Sequence, residues 1–427
     1  MSPPSRGLPR RAFVRSAVAI GGASALAACM DREGEEVADL PQASVAPEDL
    51  PERQHAWNDH VLEDEHGNAL APEHNVLLCL DYLGDRPTDA ERGEVEAALT
   101  TLERAYERGS DGLAFTVGYS PAYFDRFDGD LPGSVHLPDP EPLASIEDPA
   151  LDAYDALVHL ASDHGSVVLA AEEALTGERA SLNGLDVEGS FDGIFEVAER
   201  RTGFVGEGLP ADEQEGVRGI PDSEPVPEDA PMFMGFKSGF RKNQASEDRV
   251  TIDAGPFAGG TTTHLSRIRL HLEQWYEQDS RDQRVAKMFC PAHADEGRVE
   301  GAGHDLGDSS ELGDCPAHAT DDARNRGVVG HAQKAARARE DDEPRILRRD
   351  FDSTDGGEAA VHFLAHQRAV SEFVETRRAM TGADLARDSA VGSRTNNGIL
   401  QYLTVANRAN YLVPPRRHRS LPSPAPE

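Results

Sequence analysis

Residues 75–82 (NVLLCLDY) form an apolar run, the pattern of a strand buried on both faces. Thr88 to Glu91 then reads as a capping box, a hydroxyl and a carboxylate three residues apart that satisfy each other's backbone N–H groups. Val95, Leu99, Leu102 and Tyr106 follow at helical spacing, and Gly109 is a natural stop. Residues 113–119 (LAFTVGY) predict a second strand, 156–161 a third, and 168–175 a helix that runs up to Gly177. This β-α-β, β-α order predicts a ferredoxin-like half. The second half repeats the style. Residues 261–272 (TTTHLSRIRLHL) alternate near their end, with Ile268, Leu270 and Leu272 facing one way and Arg267, Arg269 and His271 the other. Residues 345–351 predict a short polar strand, 361–366 another strand, and 370–380 a helix with Val370, Phe373 and Val374 on one face. The fold class expected is α+β, two ferredoxin-like halves forming an α+β barrel.

The segments without a period divide the chain. Residues 1–28 hold Arg10, Arg11 and Phe13, then a small and apolar stretch to Ala28, too short for a membrane span and about right for a secretory h-region. The arginine pair resembles a twin-arginine export signal, and Leu26-Ala27-Ala28-Cys29 resembles a lipobox with Cys29 lipidated. Export to the outer face of the membrane, held there by a lipid anchor, is the expectation. Residues 29–73 read as an acidic tether, 74–215 and 216–413 as the two halves, 295–326 as an inserted acidic surface loop, and 414–427 as a peripheral tail.

Charge then narrows the setting. The 427 residues carry 42 Lys+Arg against 77 Asp+Glu, a formal charge of −35. A chain this acidic is not built to neutralise phosphates, so nucleic acid is excluded as a partner. Four of the 42 basic residues are Lys, and a carboxylate-rich, Lys-poor surface looks halophilic.

Chemistry concentrates in the second half. Gly235-Phe236-Lys237-Ser238-Gly239 comes first, then Gly259-Gly260-Thr261 leading into Arg267-Ile268-Arg269-Leu270-His271-Leu272-Glu273. His331, Arg345-Ile346-Leu347-Arg348-Arg349-Asp350-Phe351 and Phe363-Leu364-Ala365-His366-Gln367-Arg368 follow. In order and spacing these segments resemble the dye-decolorizing peroxidase family, and Gly112 to Gly118 with Phe124-Asp125 extends the resemblance into the first half. The resemblance implies a haem b cofactor, hydrogen peroxide as substrate and an unknown reductant, and it is compatible with a homo-oligomer. It places His331 as the proximal ligand to haem iron, because an imidazole nitrogen takes the fifth site and leaves the sixth open. It places Arg348, 17 residues on, as the distal guanidinium, and Arg267 as a propionate partner.

One departure cuts against turnover. Where the family carries its distal Asp, this chain has Ser238, and a hydroxyl is a poor acid–base group at neutral pH. The alternative reading is therefore a catalytically weak or inactive exported protein on the same fold, a haem carrier or sensor or a protein without haem. A second constellation pairs Cys290 and His293 with Cys315 and His318. It reads as a Cys290–Cys315 disulfide, the favoured form, or as a zinc site of two Cys-x-x-His pairs. Cys79 reads as a buried free thiol.

Overall fold

Val76, Leu78 and Leu80 alternate with Leu77 and Cys79 along the first strand, and both sets are buried. The first set packs under helices; the second set points into a barrel. That double burial is why the strand lacks polar alternation. The computed structural model describes residues 40–387 and 389–426. The export signal, Cys29 and the first part of the tether lie outside the described residues.

The first half runs β1 (His74–Tyr82), α1 (Asp89–Ala105), β2 (Ala114–Tyr119), β3 (Ala156–Ser162), α2 (Gly165–Leu175) and β4 (Phe195–Phe204). The second runs β5 (Thr261–Leu270), α3 (Arg281–Met288), α4 (Pro291–Asp295), α5 (Cys315–Asn325), α6 (His331–Ala335), β6 (Leu347–Arg348), β7 (Phe351–Ser353), β8 (Ala360–Gln367), α7 (Val370–Thr381) and β9 (Leu403–Val413). The sheet order is β7-β4-β1-β3-β2-β9-β5-β8-β6, and β7 also pairs with β8, so the sheet closes on itself. Each half has the order fourth-first-third-second, the ferredoxin-like arrangement. The expected α+β barrel of two such halves is therefore the observed fold. Leu265 shows how its interior is filled: it lies between Ala409 on β9 and Leu364 on β8, all three in one buried cluster with Leu77 and Tyr411. Each buried Leu contributes about 1.5–3 kcal/mol.

Local signals act as read. Thr88 Oγ1 accepts from Glu91 N–H at 3.3 Å, and the Glu91 carboxylate accepts from Thr88 N–H at 2.7 Å. Cys79 is buried and unpaired, and burial pushes its thiol pKa up to about 12.

Three expectations are corrected. Residues 40–73 are not a tether. Trp57 is 1% exposed, and the Gln54 side chain accepts from Val117 N–H at 2.9 Å and donates to the Pro414 carbonyl at 2.8 Å. It bridges the seam where β2 meets β9 through the single pair Tyr119–Leu412. The tail is not peripheral either: Arg419 and Leu421 are buried, and the Tyr119 hydroxyl donates to the Arg419 carbonyl at 2.7 Å. Its arginines answer Glu103, a buried carboxylate on α1 that needs cations beside it. The stretch 295–326 is only partly loop, since α5 occupies much of it and Ala302, Leu306, Ala319 and Ala323 are buried. Among the described residues no helix is long and apolar enough to cross a membrane.

Candidate functional site

His331 is the first residue of α6, and the chain is forced close to α3 just before it. A Cβ on Gly330 would lie 1.8 Å from the Phe289 carbonyl oxygen, so only glycine lets the two segments touch. Gln333 locks the turn: its Oε1 accepts from Gly330 N–H at 2.9 Å and its Nε2 donates to the Cys315 carbonyl at 2.8 Å. Lys334 is fully buried and donates to the Asn397 carbonyl at 2.9 Å. Burial, then Arg377 and Arg337, brings its pKa down to about 7.

The His331 ring lines a cavity of about 270 Å³. Ile146, Ile268, Phe363, Leu400 and Val405 give the cavity apolar walls, and Arg269, Arg377, Arg394 and Arg408 supply cations. Burial, reinforced by Lys334, Arg348 and Arg377, holds the His331 pKa at about 3. The imidazole is neutral at physiological pH and offers a lone pair, the state a metal ligand needs. Two of the cavity arginines share one acid. Glu147 pairs with Arg377 and, at 2.8 Å, with Arg408, and its side chain is 3% exposed. Burial alone would raise the Glu147 pKa, but the two guanidiniums bring it below the usual carboxylate value.

Arg348 sits on β6 opposite Ala365 of β8. Antiparallel partners project to the same face of a sheet, so Arg348 shares the face of Ala365 and Phe363, outside the barrel and toward α6. Its backbone is pinned by Gln244, which accepts from Arg348 N–H at 3.0 Å and donates to its carbonyl at 3.2 Å. Ser238 lies on the loop before β5, and its hydroxyl donates to Asp350 Oδ2 at 3.5 Å. The neighbouring Lys237 is buried and pairs with Asp64. Phe240 packs in the cluster of Phe236 and Trp275.

The structure brings His331 within electrostatic reach of Arg348 and sets Ser238 beside Asp350. Arg267 is elsewhere. It donates to the Asp355 carbonyl at 3.2 Å and pairs loosely with Glu358 at 3.9 Å, opposite His362 on β8, while its neighbours Ser266 and Ile268 line the cavity. Arg267 is held by Asp355 and Glu358 and does not line the cavity, so the expectation that it serves the cavity is corrected. Arg377 and Arg408 take that place. Arg377 had a sequence signal, since it falls one helical turn after Phe373 on the apolar face of α7; Glu147 and Arg408 had none.

Cys290 and Cys315 are joined in a disulfide with Cα atoms 6.5 Å apart. His293 stands with them, its Nδ1 3.1 Å from Cys290 Sγ. His318 does not. It is exposed and pairs with Asp314 at 3.1 Å, so the four-ligand zinc expectation is corrected.

Comparison with known proteins now adds to this geometry. A family described as a family of unknown function (DUF7405) matches residues 72–415. No curated protein matches the chain. Among solved structures it is similar to a dye-decolorizing protein from V. cholerae, at 13% identity and a TM-score of 0.53, covering 86% of this chain and 99% of that one. It is similar to an encapsulated DyP-type peroxidase from Mycobacterium smegmatis, at 15% identity and 0.54, covering 84% and 97%. A DypB variant from Rhodococcus jostii in complex with heme gives 16% and 0.52, covering 82% and 96%. At these identities the likeness is one of fold, and the fold is DyP-like.

Proposed function

We propose that this chain, which belongs to the DUF7405 family, is a haem-dependent peroxidase that reduces hydrogen peroxide with an unidentified electron donor. The observation that carries the reading is His331, a neutral imidazole facing an apolar cavity rimmed by arginines, in a fold shared with a heme-bound DypB variant. The residues fit such a group. Apolar walls suit the macrocycle, Arg377, Arg394 and Arg408 suit its carboxylates, and His331 has a free lone pair for iron. Bound haem would accept and pass on the two electrons that peroxide reduction requires.

The chain's own residues would do the rest. Arg348 holds peroxide by donating hydrogen bonds and stabilises the negative charge that grows as the O–O bond breaks. A proton must leave the near oxygen and reach the departing one. Asp350 can carry it, with the Ser238 hydroxyl 3.5 Å away as the bridging group. In this reading Asp350, two residues past Arg348, supplies the carboxylate expected at position 238. Exclusion of water falls to Ile268, Phe363 and Leu403. The cavity, about 270 Å³, is just under the ~300–1,000 Å³ usual for ligand sites, and haem entry would require the Arg377–Glu147–Arg408 clasp to open. Export and lipid attachment at Cys29 are part of the proposal; Cys29→Ser would move the protein from the membrane fraction to the soluble one.

The test is the absorption spectrum of the full chain folded with haem present. A Soret band that is lost in His331→Ala and restored by added imidazole supports the reading. A chain that gives no Soret band, with native circular dichroism, overturns it.

A further inference from the structure

The Cys290–Cys315 pair has a third member whose chemistry a disulfide leaves unexplained. His293 is fully buried in the middle of α4, stacked on Phe289 at 5.5 Å between ring centroids. Its Nε2 lies 2.9 Å from the Ser310 carbonyl oxygen, which only accepts, so the proton is on Nε2. Nδ1 is therefore a bare lone pair. It points at both sulfurs, 3.1 Å from Cys290 Sγ and 3.9 Å from Cys315 Sγ. Disulfide sulfurs carry no proton to donate, so in the oxidised form a buried acceptor has no donor.

That arrangement is the one a metal-binding histidine adopts. One ring nitrogen is fixed by a backbone carbonyl, and the other is turned to the ligand position with its tautomer set. The three ligand atoms all lie within 4.8 Å of one another, and all three residues are buried. We propose that Cys290, Cys315 and His293 form a binding site for a thiophilic divalent cation of the zinc class, open when the cysteines are reduced and closed by their disulfide.

The chemistry balances with a dithiol as reductant. The dithiol breaks the Cys290–Cys315 bond by exchange and leaves as its own cyclic disulfide, delivering two electrons and two protons. The two thiols then lose those protons to solvent as the cation binds both thiolates and the His293 lone pair. Opening requires the sulfurs to separate to about 3.8 Å, the edge of a tetrahedron with metal–sulfur bonds of ~2.3 Å. The surroundings support two anionic sulfurs poorly without a cation, since Leu312, Ala292, Ala332 and Ala336 pack around them. None of the three ligand residues lines the cavity of His331.

Cobalt(II) added to the full-length protein, reduced and held under nitrogen, is the probe. Binding of one equivalent with a thiolate-to-metal charge-transfer band is expected, and X-ray absorption should give two sulfur neighbours near ~2.3 Å and one nitrogen near ~2.0 Å. Oxidation should release the metal. His293→Gln should weaken binding at least tenfold, with native circular dichroism, whereas His318→Gln should leave it unchanged. Cys315→Ser tests the same point, and His293→Gln covers the case in which it does not fold. Reduced protein that gives no charge-transfer band, or binding that survives His293→Gln, would overturn the proposal.

Discussion

Ser238 and Asp350 are separated by 112 residues, yet the Ser238 hydroxyl donates to the Asp350 carboxylate at 3.5 Å. Asp350 follows Arg348 by two positions and lies between β6 and β7, where Arg349 N–H donates to the Leu364 carbonyl at 2.7 Å and keeps the segment beside β8. If Asp350 shuttles the peroxide proton, Asp350→Asn should lower peroxide turnover by about 10²–10⁴-fold, the usual worth of a positioned acid–base group. Haem binding should be unchanged. Ser238→Asp should restore much of the loss in the Asn variant. Stopped-flow mixing with peroxide reads both, and an Asn variant as fast as the parent would remove Asp350 from the mechanism.

Much of the barrel was legible because its strands are buried on both faces. The run 75–82 and the helix after Thr88 needed no tertiary information. The fourth strand of each half was not legible, for one reason in both. In β4 Arg201 is turned inside and answered by Asp152 at 2.7 Å and by Glu199, so charge replaces the apolar signal. In β9 Arg408 and Asn410 are buried against Glu147 and His264. His331 and Arg348 were singled out through their neighbours in the chain. Arg267 was misplaced because its partners, Asp355 and Glu358, come from a segment distant in sequence and leave no signal beside it. Trp57 and Arg419 were hidden in segments whose composition reads as linker.

The tail makes a stability prediction. Glu103 on α1 has 5% of its side chain exposed and is held by Arg416 at 2.6 Å and by Arg419. Arg419 also reaches Glu96 at 2.9 Å. Removing Arg419 leaves a buried carboxylate with half its partners, and breaking such pairs costs about 3–5 kcal/mol. Arg419→Met should lower the urea midpoint accordingly. Glu103→Leu combined with Arg419→Met should recover a large part, because the pair is then replaced by apolar surface.

Acid should unfold the protein from the histidine side. His55, His159 and His331 are each held near pKa 3, by burial first and by nearby cations after it, against 6.5 in the unfolded chain. Between those values the unfolded state binds more protons than the native one, so stability rises with pH and is lost as pH falls from about 6.5 toward 3. Glu103 and Glu147, with lowered pKa values, add to the loss at the acid end of that window. Asp352, raised by burial, acts in the opposite sense and is outnumbered. The thermal midpoint of the apoprotein should therefore drop steadily between pH 7 and pH 4. A flat profile would mean that the buried histidines are solvated.

The Glu147 clasp sets how the cavity fills. Arg377 and Arg408 share one carboxylate, and the same guanidiniums line the cavity. In the proposed reading a haem carboxylate would compete with Glu147 for them. Glu147→Gln keeps the shape of the side chain and removes its charge, so it frees both arginines while leaving two buried like charges. Two effects should follow together: the apoprotein loses stability, and haem binds about tenfold more tightly, the equivalent of ~1.4 kcal/mol. Arg377→Leu should weaken haem binding and leave Glu147 with Arg408 alone. Titrating apoprotein with haem and following the Soret band gives all three affinities. An unchanged affinity in Glu147→Gln would show that the clasp lies off the path haem takes, and that carboxylate recognition belongs to Arg269 or Arg394 instead.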